Sequence, residues 1–211
     1  MQSFLRRFAV SAETRVLDLG GSPFVWELAG IRPRLTILNL SQADFSGDWY
    51  EALEGDGCRT SFPNHEFDVV FSNSVIEHVG SWERQKQFAG ECMRCGRGFF
   101  VQTPNKWFPV DPHTFLPLLH WFPRLFRRIV RWSPRALIGR ISKADLDDLR
   151  NLRLLGKKEL KALFPEAQIL EEKFLGITKS LIAVSPALCP DQKMEAASHD
   201  RDGHDIGVSD R

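Results

Sequence analysis

The stretch Val16-Leu17-Asp18-Leu19-Gly20-Gly21-Ser22-Pro23 decides the reading of this chain. Apolar residues around one acid lead into two glycines and a proline able to open a helix, the pattern of a buried strand turning sharply over a bound nucleoside. Adjacent glycines followed by Ser22 and Pro23 depart from the G-x-G-x-x-G spacing of a dinucleotide turn, which argues against NAD and leaves room for another nucleoside. Alone, a D-x-G-G run also fits an ordinary glycine turn, so the residues beyond it must decide.

A chain of 211 residues, 43% hydrophobic and 26% charged, has the size and balance of one α/β domain with a sizeable core. A formal net charge of +1 gives no bulk electrostatic case for nucleic acid, and no nucleic-acid partner is expected. Met1 to Val10 carries Arg6 and Arg7 within a short apolar stretch and does not read as a secretory signal. No run approaches the roughly 18 apolar residues of a membrane span. These features lead to the expectation of a cytoplasmic protein. Of the cysteines Cys58, Cys92, Cys95 and Cys189, only Cys92 and Cys95 form a C-x-x-C pair; a zinc site needs about four ligands, so no metal is expected.

Strand and helix signals alternate from Arg15 onward, as in a doubly wound parallel sheet. Strands are expected at 15–19, 35–39, 49–53, 67–72 and 98–102, with 168–174 and 177–185 closing the series; helices are expected at 23–30, 81–95 and 157–164. Only Leu175 and Gly176 separate the last two strands, so they should form an antiparallel hairpin on an otherwise parallel sheet. The link 41–48 is too short for a regular crossover helix. Residues 103–150, rich in proline and tryptophan, read as an inserted helical lid whose span 113–143 holds Arg124, Arg127, Arg128, Arg131, Arg135, Arg140 and Lys143 and no Asp or Glu. Residues 1–186 thus form one domain, and the polar stretch 187–211 reads as a disordered tail.

In an open parallel sheet the ligand lies over the carboxyl ends of the strands, so the residues just past each strand carry the function. These are Asp18, Gly20 and Gly21; Asn39 and Leu40; Gly55-Asp56-Gly57; Ser72-Asn73-Ser74 with Glu77-His78; and Thr103-Pro104-Asn105 with Asp111 and His113 close behind. Through VLDLGGSPFVWEL, LTILNL, GDGCRTSFPNHEFDVVFSNSVIEHV and GRGFFVQTPNKWFPVDPHTFLPLLHWFP, over about residues 14–124, the chain resembles class I S-adenosylmethionine-dependent methyltransferases of the type 11, ubiquinone-biosynthesis-like group. The resemblance implies a Rossmann-like methyltransferase fold with a mostly parallel seven-stranded sheet. It also implies S-adenosyl-L-methionine as cofactor.

By that resemblance Asp18, Gly20 and Gly21 face the methionine portion of the cofactor, and Asn39 and Leu40 at the end of strand two hold the ribose. Asp56, with Gly57, receives the adenine amino group, and Asn73 lies beneath the sulfonium. Glycine permits close backbone approach, a carboxylate accepts from an exocyclic amine, and carbonyls favour a nearby positive charge. Two departures matter: Ser22-Pro23 stands where the family has its third glycine, and Asn39 where it has an acid. An amide oxygen accepts from a ribose hydroxyl without charge.

Methyl transfer is an in-line displacement on an activated sulfonium, so catalysis is chiefly proximity, with a base needed only when the acceptor carries a proton. His78 is the candidate base for an oxygen acceptor, although a lone histidine is also accounted for as a packed or solvated residue. Asn105, Trp107, Asp111 and His113 are candidates for holding the substrate; an Asp-Pro turn accounts equally well for Asp111 and His113, and lid packing for Trp107. The acceptor expected from the resemblance is a small molecule, a lipid-linked intermediate or a saccharide. A second reading keeps the fold and nucleoside pocket but no activity, as an inactive binding module or regulatory partner. The basic, apolar lid also has the makings of a peripheral contact with the inner face of a membrane.

Overall fold

The computed structural model describes residues 1–41, 47–109 and 152–186. Its elements run α1 (Gln2–Phe8), β1 (Arg15–Leu19), α2 (Pro23–Ala29), β2 (Arg34–Asn39), β3 (Tyr50–Glu54), β4 (Phe67–Asn73), α3 (Trp82–Cys95), β5 (Gly96–Pro104), α4 (Lys157–Leu163), β6 (Gln168–Phe174) and β7 (Ile177–Val184). The seven strands form one sheet in the order β3-β2-β1-β4-β5-β7-β6. All neighbours from β3 to β5 are parallel, whereas β7 runs antiparallel to both β5 and β6. The chain therefore steps outward from β1 in one direction through β2 and β3, then returns to β1's other side through β4. That reversal creates a crevice above the carboxyl ends of β1 and β4.

Apolar alternation places one core on each face of the sheet. Leu17, Leu19, Val70 and Val101 meet Phe88 and Cys92 of α3 and Leu160 of α4 on one face; Val16, Ile37, Val69 and Phe71 meet Trp26 of α2 and Phe4 of α1 on the other. Helix α1 was not foreshadowed as an element. It is held by Phe4, whose ring centroid lies 4.8 Å from that of Phe71 and 5.4 Å from that of Phe100. Ser81 caps α3 by accepting the Arg84 N–H, and Pro23 occupies the start of α2.

The β6–β7 hairpin forms as expected, with Phe174 opposite Ile177 and both turn residues at positive φ, Leu175 at 50° and Gly176 at 83°. Strand β5 begins earlier and ends later than its sequence suggests, so Thr103 and Pro104, assigned to the lid insertion, belong to the sheet. The rest of that insertion, from 110 to 150, and the tail from 187 lie outside the described residues. Among the described residues no helix is long and apolar enough to cross a membrane.

Candidate active site

The turn after β1 is built around a buried acid. Asp18 is 1% exposed, and its Oδ2 accepts from Trp26 Nε1 at 2.8 Å, while Oδ1 has no partner among the described residues. Burial pushes the Asp18 carboxyl up to about 7 against the opposing effect of the Trp26 bond. A Cβ on Gly21 would fall on this carboxyl group, so only glycine allows the backbone to pass beside it. Gly20 takes φ 75°, and a Cβ there would sit 2.6 Å from Val75 Cγ2 in the loop after β4. The β1 and β4 turns are thus in contact.

Further bonds lock the strand ends together. Gly20 donates to the Leu38 carbonyl at 2.9 Å, Asn39 Nδ2 to the Gly21 carbonyl at 3.1 Å, and Gly55 N to the Asn39 carbonyl at 2.8 Å. Ser72 Oγ donates to the Leu19 carbonyl at 3.1 Å, and Ser74 N to the Gln102 carbonyl at 2.9 Å. Asn39 therefore commits an amide hydrogen to the glycine turn. Leu40, just beyond, is exposed, as is Asn73 at the end of β4.

Asp56 is half-buried at the end of β3. Arg84 Nη2 donates to both of its oxygens at 2.9 Å, and Cys58 N to Oδ1 at 2.9 Å. Partial burial works to raise the Asp56 carboxyl, but the Cys58 N–H and the Arg84 guanidinium together hold it below its ordinary value. Oδ1 is thus fully used, and Oδ2 keeps a lone pair for a further donor. Gly57 lies against the Phe88 ring, where a Cβ would stand 3.1 Å from Cε2.

Glu77 and His78 part company. Glu77 is buried and its Oε2 accepts from Thr103 Oγ1 of β5 at 2.9 Å, whereas His78 is exposed, with its N–H on the Val75 carbonyl at 2.8 Å. Asn105 is drawn into the sheet instead of the crevice: Nδ2 donates to the Thr178 carbonyl at 2.8 Å, and Oδ1 accepts from Trp107 N at 3.2 Å. Trp107 is 62% exposed, with the Lys106 ammonium 5.1 Å from its ring centroid. Asp111 and His113 lie outside the described residues.

The structure thus brings Asp18, Gly20, Gly21, Asn39, Asp56, Gly57, Asn73 and His78 to one edge of the sheet and turns Asn105 towards β7. Two residues that shape this edge escaped the sequence reading, Trp26 and Arg84. A buried acid at position 18 calls for a donor, and Trp26 on the buried face of α2, eight positions on, supplies it. Nothing sets Arg84 apart from Lys86 or Arg94 before α3 is docked. The C-x-x-C pair lies away from this edge: Cys92 is fully buried, and burial pushes its thiol well up. Among the described residues no group of His, Cys, Asp or Glu is arranged to hold a metal ion.

Residues 13–98 match the family model described as a methyltransferase domain. None of the curated proteins matches this sequence. Among solved structures, a SAM-dependent methyltransferase from Aquifex aeolicus superposes with a TM-score of 0.53 at 10% identity, covering 89% of each chain. A geranyl diphosphate C-methyltransferase from Streptomyces coelicolor, solved with S-adenosyl-L-homocysteine, gives 0.54 at 12% over 88% of this chain and 76% of its own. A protein from Rhodobacter sphaeroides described as a putative Zn-dependent alcohol dehydrogenase gives 0.56 at 13% over 89% of each. At such identities the likenesses establish the fold alone. Residues 13–98 are thus similar to a methyltransferase domain, and the match runs from β1 into β5 of a fold shared with S-adenosylmethionine-dependent methyltransferases.

Proposed function

We propose that this protein transfers a methyl group from S-adenosyl-L-methionine to an oxygen of a small-molecule, lipid-linked or saccharide acceptor. The observation that carries the reading is the buried Asp18 carboxyl, one oxygen committed to Trp26 and the other left over beside a turn that only glycine can make. A buried acceptor without a partner is costly, and a ligand donor seated at that turn supplies one. These residues suit the cofactor: Asp18 with Gly20 and Gly21 for its amino-acid end, Leu40 and Asn39 beside its ribose, Asp56 and Gly57 for its adenine, and Asn73 near its sulfonium. When bound, it supplies an activated methyl group.

The chain's own part is positioning and proton removal. The Leu38, Asn39 and Gly55 bonds fix the strand ends as one rigid rim, so that a bound donor and acceptor are held in line. His78, exposed beside that rim, takes the proton of an acceptor hydroxyl.

One observation favours the inactive-module reading: Asp56 and Asn39 both already bond to protein groups, Arg84 and Gly21. Calorimetric titration with S-adenosyl-L-methionine, followed by assay of S-adenosyl-L-homocysteine release with hydroxyl-bearing lipids, saccharides and small molecules, separates the two. Binding with release supports the transferase. Binding without release for every acceptor class leaves the module, and failure to bind overturns both.

A further inference from the structure

His78 sits in the loop between β4 and α3, and that loop is held from outside on both sides of the histidine. Gln85 Nε2 of α3 donates to the Ile76 carbonyl at 3.0 Å, the Arg153 backbone N–H to the Glu77 carbonyl at 2.9 Å, and Arg84 Nε to the Val79 carbonyl at 3.0 Å. At the start of the loop Val75 lies against the glycine turn after β1, where a Cβ on Gly20 would meet its Cγ2 at 2.6 Å. One short segment therefore touches the turn assigned to the cofactor and carries the candidate base. Its conformation sets the distance between the two.

The ties converge on Arg153. Its backbone carbonyl accepts from Gln85 Nε2 at 2.9 Å, its Nη1 donates to Gln85 Oε1, and its Nη2 donates to Glu159 Oε1 of α4 at 2.8 Å. Its guanidinium carbon stands 4.7 Å from the Trp82 ring centroid. Glu159 is fixed in turn, its Oε2 accepting from Lys106 Nζ just beyond β5 at 2.6 Å and from Gly156 N at 2.9 Å. Gln85 is fully buried, with its oxygen and both amide hydrogens engaged. Such bonds add little net stability over apolar packing, but each is directional and a misaligned one leaves a polar group unsatisfied, so together they fix geometry. The planar guanidinium reaches Gln85 and Glu159 through two nitrogens while lying over Trp82, a combination that a lysine cannot reproduce.

We propose that Arg153 is a positioning residue for His78, acting through the Glu77 carbonyl and Gln85 to fix the β4–α3 loop against the glycine turn. Its part in catalysis rests on His78 being the base of the proposed function; its hold on the loop does not.

Arg153→Met keeps an aliphatic stem over Trp82 and leaves Glu159 paired with Lys106. Amide hydrogen exchange of the full chain, without cofactor or acceptor, should then quicken about tenfold at His78 and at position 153, the scale of one lost hydrogen bond to a charged group, while β1 and β5 keep wild-type rates. Glu159→Gln still accepts from Gly156 N but frees the guanidinium on its other side, and should quicken the same two amides. With a hydroxyl acceptor, turnover should fall about 10- to 100-fold in Arg153→Met, the effect of misplacing a reacting group by about 1 Å, while the Kd for S-adenosyl-L-methionine stays within about twofold. Three results would overturn the proposal: unchanged His78 exchange in both variants, faster exchange spread over the whole sheet, or quickened His78 exchange with wild-type turnover. A wild type that methylates no acceptor would sink the proposed function alone, and the exchange comparison would still decide whether Arg153 holds the loop.

Discussion

Trp26 Nε1 donates to Asp18 Oδ2 at 2.8 Å, joining the first helix after the glycine turn to the acid beneath it. Both residues are buried, so the bond is made where water cannot replace it. Trp26→Phe keeps most of the ring packing against Phe4 and Phe71 but leaves the carboxyl with neither oxygen bonded. Unfolding in urea should show a loss of about 1–3 kcal/mol, the scale of one unsatisfied buried polar group. Stability equal to wild type would mean that the acid does not depend on Trp26.

The raised Asp18 carboxyl makes stability depend on pH in a definite direction. Its value moves from 3.8 up to about 7 in the folded protein, so the folded state holds a proton that the unfolded state releases between those values. The contribution is fully present below about pH 4, is lost as pH rises through about 7, and falls by about 1.4 kcal/mol per pH unit in between. Asp18→Asn carries no such proton. Urea midpoints at pH 5, 6, 7 and 8 should show the wild type losing ground to Asp18→Asn as pH rises; parallel curves would place Asp18 in its ordinary ionised form.

The Arg84–Asp56 pair is more than a third exposed on both sides, which makes it a weak source of stability and a better source of orientation. Asp56→Ala should weaken binding of S-adenosyl-L-methionine by about 1–3 kcal/mol. Arg84→Met should weaken it less, through a carboxylate left free to rotate, with little change in melting temperature. If Arg84 acts only through Asp56, the double variant binds no worse than Asp56→Ala. Additive losses would mean that Arg84 touches the cofactor itself.

The fold was legible because its signals are local. Strands β1 and β6 and the Leu175-Gly176 turn sit where apolar alternation and turn length put them, and the strand ends named the candidate rim. What escaped depends on contacts distant in sequence. Helix α1 has seven residues and owes its place to Phe4 meeting Trp26, Phe71 and Phe100. The expected strand starts at Gly98 and misses Gly96 and Arg97, where glycine disfavours a strand; at Gly98 a Cβ would come 2.8 Å from Phe8 Cε1, so that glycine lets α1 close on the sheet. Arg84 reaches Asp56 across 28 positions, a partnership no spacing rule reveals.

Asn39 shows the same effect at a single side chain. The sequence suggests a weakened ribose acceptor, but Nδ2 donates to the Gly21 carbonyl, a task no carboxylate can perform. Asn39→Asp would set oxygen against oxygen at the glycine turn. Cofactor affinity measured by calorimetry should therefore fall by about 1 kcal/mol or more, despite the acid common at this place in the family. A tighter complex would show that the ribose, and not Gly21, governs the side chain.

His78 carries the proton-removal step in the proposed reaction. Its neighbour Glu77 is fully buried and bonded to Thr103, and the His78 backbone N–H bonds to the Val75 carbonyl, so both help to hold the β4 loop. His78→Ala should leave the fold and cofactor affinity within about twofold of wild type while lowering turnover of a hydroxyl acceptor by about 10²–10⁴-fold, the usual range for removing a general base. His78→Gln retains polarity without basicity and should be equally impaired. Unchanged turnover in either variant would return the histidine to the solvated surface and transfer the question of proton removal to the acceptor, whose ionised oxygen would then need no base.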